Sequence, residues 1–291
     1  MAPSLVTVEP VEGKAQLRRF RDVPYLLHGD DPRWNPGVRA FESWRLDARR
    51  HPYFEEGDAA YLLARDRGRP VGRIAAHRAR AGDVEGWFGF FDAPDDDRIV
   101  AALLDAAEAW LRDEGASSMT GPVSWVVDEE FGTMVSGHEH AAITGRRWQP
   151  DWYAASLRRA GLVGGERRHS YRLSTDDATG STPEPAPVDP PPHAGGYADP
   201  ALVLDDVAAV PEVSSTLARA SVRSAWRVAA RARREGFDTA VCVRCDGEPS
   251  VLVPMLLAAA RSAGYRWLIA PWAPSGTEPE TTHQVFTRRW T

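Results

Sequence analysis

The sequence predicts an α/β fold of two tandem units, each a mixed twisted sheet flanked by helices, with the second unit abbreviated. A strand–turn–helix–strand pattern occurs at 87–125 and again at 239–272. A unit of this kind leaves one apolar face uncovered, and a second copy can cover it. The length of 291 residues also exceeds the ~100–200 residues of a usual domain. We therefore expect an N-terminal domain at 1–173 and a C-terminal domain at 201–291.

The segment 174–200 between these domains has the composition of a linker. It is rich in proline, with glycine, serine, threonine and aspartate, and it lacks apolar periodicity. Such a composition is typical of an extended connection rather than of a packed element.

The N-terminal domain begins with a short strand at 5–8 and a helix at about 14–28. Two apolar runs follow, at 59–64 and 70–76, and they flank a polar turn at 66–69 that contains a glycine. Two such runs around a short turn predict an antiparallel hairpin.

The first copy of the repeated pattern follows the hairpin. Its aromatic strand spans 87–91, and apolar residues recur with a period of 3.6 over 99–111. This period predicts a helix with one buried face, and the acidic residues 95–97 lie where its N-cap belongs. After a further strand, a helix at 152–161 and a strand at 168–173 complete the domain.

The C-terminal domain repeats the pattern after a long segment at 203–236 that is typical of a helix. An apolar strand at 240–243, a turn at 246–249, a helix and a strand at 267–272 follow. Their order matches that of the first copy, so we expect the two copies to superpose.

Composition and charge narrow the class of protein. The formal net charge of −6 argues against generic charge-driven binding to nucleic acid or to an anionic membrane. Two cysteines cannot form a disulfide framework, and no stretch approaches the ~20 apolar residues of a membrane span. We therefore expect a cytoplasmic protein without a membrane partner. Lys14 is the only lysine among 35 basic residues, a bias that favours a GC-rich bacterial genome.

Several short stretches resemble a known superfamily. They are Phe54-Glu55, 68–76, 89–92, 103–111 and Gly121-Pro122 in the first domain, and 264–267 and 287–290 in the second. Together with the order of elements, they resemble the GNAT superfamily of acyl-CoA-dependent N-acyltransferases. More narrowly, they are similar to an uncharacterised bacterial group of longer, tandem GNAT-like proteins. The resemblance covers roughly residues 10–173 well and 238–291 loosely.

The resemblance implies acyl-CoA as a cofactor, bound in a cleft near Phe90 and Phe91. A GNAT turn usually reads Arg or Gln, two residues, Gly, one residue, then Gly or Ala, because backbone N–H groups at a helix start surround the pyrophosphate. The first turn, 94–98, has no glycine and three carboxylates, and the second, 247–250, has one glycine and a proline. Neither turn matches the usual pattern, so Arg98 or neighbouring arginines would have to hold the phosphates.

The same resemblance implies a tyrosine that protonates the leaving thiolate. Its usual place corresponds to Leu157, whereas Tyr153 lies one turn earlier on the same helical face. Tyr153 is therefore either a shifted proton donor or a buried tyrosine that packs with Trp152.

Three polar residues follow the strand that ends the first copy. Asp128 and Glu129 correspond to an acidic pair of the tandem group, and they either supply a general base for the amine or lie in a solvated loop. Ser124 is either a hydroxyl nucleophile or hydrogen-bond donor, or an ordinary serine, since the order of residues assigns no histidine relay to it.

Two further patterns concern metals and redox chemistry. His138-Glu139-His140 would place two imidazoles on one side of an extended strand, but no third metal ligand is near in the sequence. Cys242 and Cys245 have the spacing of a redox pair, yet they follow a strand and do not begin a helix. We interpret these residues as a polar loop and ordinary thiols, and we expect no metal.

A basic ridge lies on the helical segment of the second domain. Its members recur every four residues: Arg219, Arg223, Arg227 and Arg231. The ridge is either a solvated helix face or a docking surface for a phosphorylated partner such as tRNA.

Three functions fit these observations. The leading hypothesis is transfer of an acyl group from a thioester donor to a small-molecule amine or a carrier-bound substrate. The second is an aminoacyl-tRNA-dependent transferase of tandem GNAT fold, which needs no pyrophosphate loop. The third is a non-catalytic GNAT-like binding or scaffold protein that kept the fold.

Overall fold

The computed structural model of the chain describes residues 6–34, 39–80, 84–125, 130–140, 147–177, 204–205, 239–242, 257, 261, 266–270 and 276–290. The helices in these ranges are α1 (Gly13–His28), α2 (Arg39–Arg45), α3 (Tyr53–Glu56), α4 (Asp97–Asp113) and α5 (Trp152–Arg159), with a 3₁₀ turn at Thr175–Asp177. The strands are β1 (Val6–Pro10), β2 (Gly57–Asp66), β3 (Arg69–Ala79), β4 (Glu85–Asp92), β5 (Ser118–Gly121), β6 (Thr133–Ser136), β7 (Val163–Ser174), β8 (Leu204–Asp205), β9 (Thr239–Cys242), β10 (Trp267–Ala270) and β11 (Thr281–Arg289).

The strands form one mixed sheet in the order β1-β2-β3-β4-β5-β11-β7-β10-β9-β8, with β6 beside β11. Alternate residues of β3 face opposite sides, which is the period of a strand. Ile74 packs in the core beneath α4 and α5, whereas Ala75 packs with Phe20 of α1. Helices therefore cover both faces of the sheet, and the predicted α/β class is confirmed.

The repeated pattern is present as two pairs of parallel strands. Strand β4 pairs in parallel with β5 across helix α4, and β9 pairs in parallel with β10. Between β9 and β10, Leu257 and Arg261 are helical, and most of the predicted second helix lies outside the described residues. The two parallel pairs agree with the predicted repeat, although the match of the two helix faces stays a prediction.

Helix α4 has the buried face that its period predicts. Leu103, Leu104 and Ala107 are fully buried in the main core. At its start the Asp96 side chain accepts a hydrogen bond from the backbone N–H of Arg98, which satisfies one of the free donors of a helix N-terminus. The cap that the sequence predicts in the acidic turn is therefore Asp96.

The last described strand closes the sheet of the N-terminal half. Strand β11 lies between β5 and β7 and pairs antiparallel with both. The sequence places residues 281–289 in a second domain, whereas their backbone partners lie at 118–121 and 163–170. The domain boundaries at 173 and 201 stay predictions, because the segment 178–203 between them lies outside the described residues.

One predicted element is corrected. Leu204 and Asp205, at the start of the helix predicted for 203–236, form strand β8, which pairs antiparallel with β9. Residues 206–238, which include the arginine ridge, lie outside the described part of the chain. No helix within the described ranges is long and apolar enough to span a membrane.

Candidate active site

A β-bulge near the end of β4 turns the backbone of Phe90, one of the predicted residues, toward Ser124. Arg73 pairs with Asp92 and Ala75 with Gly89, so β4 has one more residue than β3 over this interval. The extra residue is accommodated at Phe90, whose φ of 47° lies in the left-handed region. Its backbone N–H therefore does not continue the ladder and instead donates to Ser124 Oγ at 2.9 Å.

Ser124 is fixed by a buried ionic cluster. Its hydroxyl donates to Glu130 Oε2 at 2.5 Å, and the same carboxylate oxygen lies 3.3 Å from Arg147 Nε. Arg147 also contacts Glu42 at 3.2 Å. Burial lowers the pKa of Arg147, but the two carboxylates outweigh it and raise that pKa above its usual value. Ser124 and Phe90 are both fully buried and contact each other. The catalytic role of Ser124 and the cofactor contact of Phe90 stay predictions.

Asp92 ends β4 as a buried carboxylate. Its Oδ2 lies 2.6 Å from Arg73 Nε, and its Oδ1 lies 3.4 Å from His28 Nε2. Burial alone would raise the pKa of Asp92, but the Arg73 guanidinium and the hydrogen bond from His28 hold that pKa below its usual range. Asp92 is therefore ionised at any pH at which the protein would ordinarily be studied.

Tyr153 lies on α5 with its hydroxyl next to this carboxylate. The hydroxyl oxygen is 3.1 Å from the backbone nitrogen of Ala93 and 3.1 Å from His28 Nε2. Burial, and after it the Asp92 charge, raise the pKa of Tyr153 well above its usual value. The side chain is therefore a neutral phenol, which can give a proton but does not act as a resident base.

The carboxylate of Asp92 determines the hydrogen-bond directions in this group. Because a carboxylate only accepts, the His28 nitrogen that faces it is best placed as an N–H donor. The single hydrogen on His28 Nε2 is then shared between Asp92 and the Tyr153 oxygen, which also accepts from the Ala93 N–H. The hydrogen of the Tyr153 hydroxyl remains available for a further group. Two N–H donors on this oxygen would also stabilise the phenolate that forms when the proton leaves.

His28 also lines a pocket of about 210 Å³. Arg33 forms one wall: it makes a two-pronged ion pair with Asp31 and stacks over the Trp148 ring at 4.6 Å. His28 lines this pocket and also contacts Tyr153, so it connects the pocket to the phenol. The lining residues are Leu27, His28, Asp31, Arg33, His138, Trp148, Pro150, Asp151 and Trp152.

The turn before α4 does not fit the pyrophosphate of CoA. Arg98, which was predicted to hold phosphates, forms a two-pronged pair with Asp96, and Arg159 pairs with Asp97 and Asp95. The Arg98 backbone N–H is also used, because it donates to Asp96. A pyrophosphate would have to displace these pairs and approach three carboxylates. Phe91, the other predicted cofactor contact, is buried against Tyr153 at 5.4 Å between ring centroids.

Among the remaining predicted residues, only some lie in the described part of the chain. Asp128 and Glu129 lie outside the described residues, as do Cys245 and the arginine ridge. His138 Nδ1 contacts the Gln149 carbonyl, whereas His140 lies near Glu139 and Glu280. Within the described ranges, no three His, Cys, Asp or Glu side chains are grouped as metal ligands.

Sequence reasoning missed His28, Asp92 and Arg73. A signal was present for two of them, since Arg73 stands inside an apolar run and Asp92 ends an aromatic one. A charged side chain in a buried strand requires a partner of opposite charge. No local pattern marks His28, which ends α1 and is 125 residues from Tyr153.

Two curated proteins are similar in sequence to this chain, and no family model matches it. Protein YghO of Escherichia coli strain K12 is 34% identical over 171 residues, which cover 57% of this chain and 44% of that protein. Bacterial ceramide synthase of Caulobacter vibrioides is 29% identical over 185 residues, which cover 62% of this chain and 47% of that protein. The match therefore spans less than half the length of each relative.

The architecture is similar to that of a solved tandem GNAT protein from the clavulanic acid biosynthesis pathway. The TM-score is 0.53 at 16% sequence identity, and the similarity covers 98% of both chains. At this identity the likeness concerns the fold. The chain therefore has the tandem GNAT fold that its short stretches resemble.

Proposed function

We propose that this protein transfers an acyl group from a thioester donor to an amine. The observation that carries the proposal is the hydrogen-bonded group of Asp92, His28 and Tyr153, which joins the end of β4 to a pocket. The GNAT fold supports a general acyltransferase function. A neutral, buried phenol held by two N–H donors is suited to protonate a leaving thiolate.

In the proposed reaction the amine nitrogen attacks the thioester carbonyl carbon. A C–N bond forms and the C–S bond breaks, so the nitrogen must lose one proton and the sulfur must gain one. Tyr153 supplies the proton to sulfur. The phenolate is stabilised by the Ala93 N–H and His28 until it regains a proton, and the Asp92 charge keeps the His28 donor oriented toward it.

The similarity to a ceramide synthase suggests a finer proposal for the substrates. A ceramide is the amide of a fatty acid and a long-chain amino alcohol, so we propose a fatty acyl group as the group transferred. A pocket of about 210 Å³ is small beside the ~300–1,000 Å³ of usual ligand sites, so it would hold the amino head of such an acceptor and not its chain.

The turn before α4 suggests which part of the acyl donor the protein contacts. Because that turn does not fit a pyrophosphate, we propose that the pantetheine arm and the acyl group supply most of the donor's contacts. Acyl-CoA and an acyl-carrier protein share that arm. The aminoacyl-tRNA alternative depends on Arg219, Arg223, Arg227 and Arg231, and it stays a prediction.

The proposed function is tested by incubating the purified chain with acetyl-CoA, octanoyl-CoA and palmitoyl-CoA, each paired with sphinganine, ethanolamine and a simple alkylamine. Free thiol and the mass of the amide product are measured. We expect amide formation that Tyr153→Phe lowers by about 10²–10⁴-fold, the usual contribution of a positioned acid. Tyr61→Phe is the matched control, because the Tyr61 hydroxyl donates to the Leu46 carbonyl, away from the pocket. Absence of amide from every pair would contradict acyl transfer to amines.

A further inference from the structure

The second histidine of the pocket, His138, is held in one tautomer. Its Nδ1 lies 3.0 Å from the backbone carbonyl oxygen of Gln149. Because a carbonyl oxygen only accepts, Nδ1 carries the hydrogen, and Nε2 of the neutral ring carries a lone pair. Among the residues that the structure describes, no hydrogen-bond donor contacts that nitrogen.

The backbone of His138 is held as firmly as its ring. Its carbonyl oxygen accepts hydrogen bonds from Trp148 Nε1 at 2.8 Å and from Arg33 Nη1 at 2.9 Å. Arg33 is itself fixed by its two-pronged pair with Asp31. A side chain supported in this way keeps its geometry without a ligand, which is a requirement for a group that transfers protons.

Trp148 connects the two imidazoles of the pocket. Its indole nitrogen bonds the His138 carbonyl, and its ring lies 6.2 Å from the His28 ring, edge to face. The pocket therefore presents one imidazole that is bonded to the phenol of Tyr153 and a second that is not.

Asp31, which also lines the pocket, does not replace His138 as a base. Hydrogen bonds from Arg33 hold the pKa of Asp31 below its usual range, so that carboxylate stays ionised and paired. The groups that face His138 from the pocket, or adjoin it in the chain, are His28, Asp31, Arg33, Asp151, Glu139 and His140.

We propose that His138 Nε2 is the general base that accepts the proton lost by the attacking amine. This role rests on the proposed acyl transfer, in which no group had yet been assigned to accept the proton from nitrogen. The nitrogen gives one proton to His138 as the C–N bond forms, and Tyr153 gives one proton to sulfur as the C–S bond breaks. The His138 imidazolium then releases its proton, and the Tyr153 phenolate regains one from solvent or through His28. The overall proton count is therefore unchanged.

The test compares His138→Gln with His140→Gln in the full chain. Both substitutions replace an imidazole by an amide in the same segment, but His140 is not among the residues that line the pocket. We expect His138→Gln to lower kcat/KM for an alkylamine by about 10²–10⁴-fold, the usual contribution of a general base. We expect His140→Gln to leave kcat/KM unchanged.

Two further readouts separate a base from a structural residue. The loss in His138→Gln should persist for a weakly basic amine, because that amine arrives neutral but still loses one proton as the C–N bond forms. Added imidazole should restore part of the rate of His138→Gly, which a merely structural role would not allow. Thermal unfolding of each variant checks that the fold is kept.

The outcomes distinguish this role from the proposed function. Amide formation by the unaltered chain together with full activity of His138→Gln would overturn the role of His138 alone. A loss that disappears with a weakly basic amine, together with no rescue of His138→Gly by imidazole, would also overturn it. No amide formation by the unaltered chain would overturn the proposed function and this role together.

Discussion

The backbone N–H of Ala93 donates a hydrogen bond to the Tyr153 hydroxyl at 3.1 Å, and this bond joins the end of β4 to helix α5. Asp92, the preceding residue, ends the same strand with its carboxylate beside His28. The turn that follows β4 in a GNAT fold is thus held by a phenol on one side and by an ion pair on the other. Stability and chemistry therefore depend on the same few groups.

The first prediction concerns the stability of Tyr153→Phe. The substitution removes the acceptor of a fully buried N–H, and a buried donor without a partner costs about 1–3 kcal/mol. We expect the free energy of unfolding in urea to fall by that amount, because the ring itself still fills its place. An unchanged unfolding curve would mean that Ala93 finds another acceptor and that the phenol does not hold the turn.

The second prediction concerns Asp92→Asn. The amide cannot neutralise the Arg73 guanidinium, which is 1% exposed, and breaking a buried ion pair costs about 3–5 kcal/mol. The matched control is Asp97→Asn, whose partner Arg159 is half exposed, and we expect it to change the unfolding free energy little.

The same variant has a defined pH dependence. The pKa of Asp92 is lowered by folding, so its contribution is fully present above the ordinary carboxyl pKa of about 4 and is lost as the pH falls from there toward the folded value. The difference between the unaltered chain and Asp92→Asn should therefore be constant from neutral pH to about pH 5 and should shrink below about pH 4. Urea unfolding at several pH values measures it. A difference that grew toward acid would contradict the ion pair.

The third prediction concerns the closing strand. Phe286 of β11 is fully buried, and it is in register with Gly121 on one side and Gly164 on the other. Its ring lies in the main core with Leu103 and Leu157. We expect Phe286→Ala to lower the unfolding free energy by about 3–5 kcal/mol, as for other buried phenylalanines. Val163→Ala on the neighbouring strand, where the side chain is 72% exposed, should stay within about 0.5 kcal/mol. A small effect of Phe286→Ala would contradict the place of β11 in the N-terminal sheet.

The sequence predicts those parts of the fold that depend on local periodicity. The apolar face of α4, the hairpin of β2 and β3, and the two parallel strand pairs each follow from residues that are close along the chain. Strand β11 could not be placed in this way, because the residues that pair with Phe286 lie more than 100 positions earlier. Strand pairing over such separations has no local signal.

In the candidate site, the sequence predicts Tyr153, because the evidence for it lies within its own helix. Tyr153 faces inward because its helix has one buried face, and it could be found from its position before Gly161. His28 and Asp92 are recognised as site residues only by their contacts with Tyr153 and Arg73. These contacts exist only in the folded chain. His138 was recognised as a histidine near another histidine, but the Gln149 carbonyl that fixes its tautomer comes from a separate segment.

The last prediction concerns the donor and follows from the acidic turn. Arg98 is paired with Asp96, and Arg159 is paired with Asp97. The backbone N–H of Arg98 also donates to Asp96. These groups are therefore already engaged and do not bind the donor's pyrophosphate. If the pyrophosphate adds no binding energy, removing the nucleotide removes none. We expect acyl-CoA and the corresponding acyl-pantetheine to have kcat/KM values within about tenfold, which corresponds to about 1.4 kcal/mol. Measurement of both thioesters with one amine under identical salt decides the point.

A loss of more than about 100-fold for acyl-pantetheine, near 2.7 kcal/mol, would show that residues elsewhere hold the nucleotide. Arg159→Ala serves as the control, because it should leave the ratio of the two donors unchanged if Arg159 is engaged by Asp97 and not by phosphate.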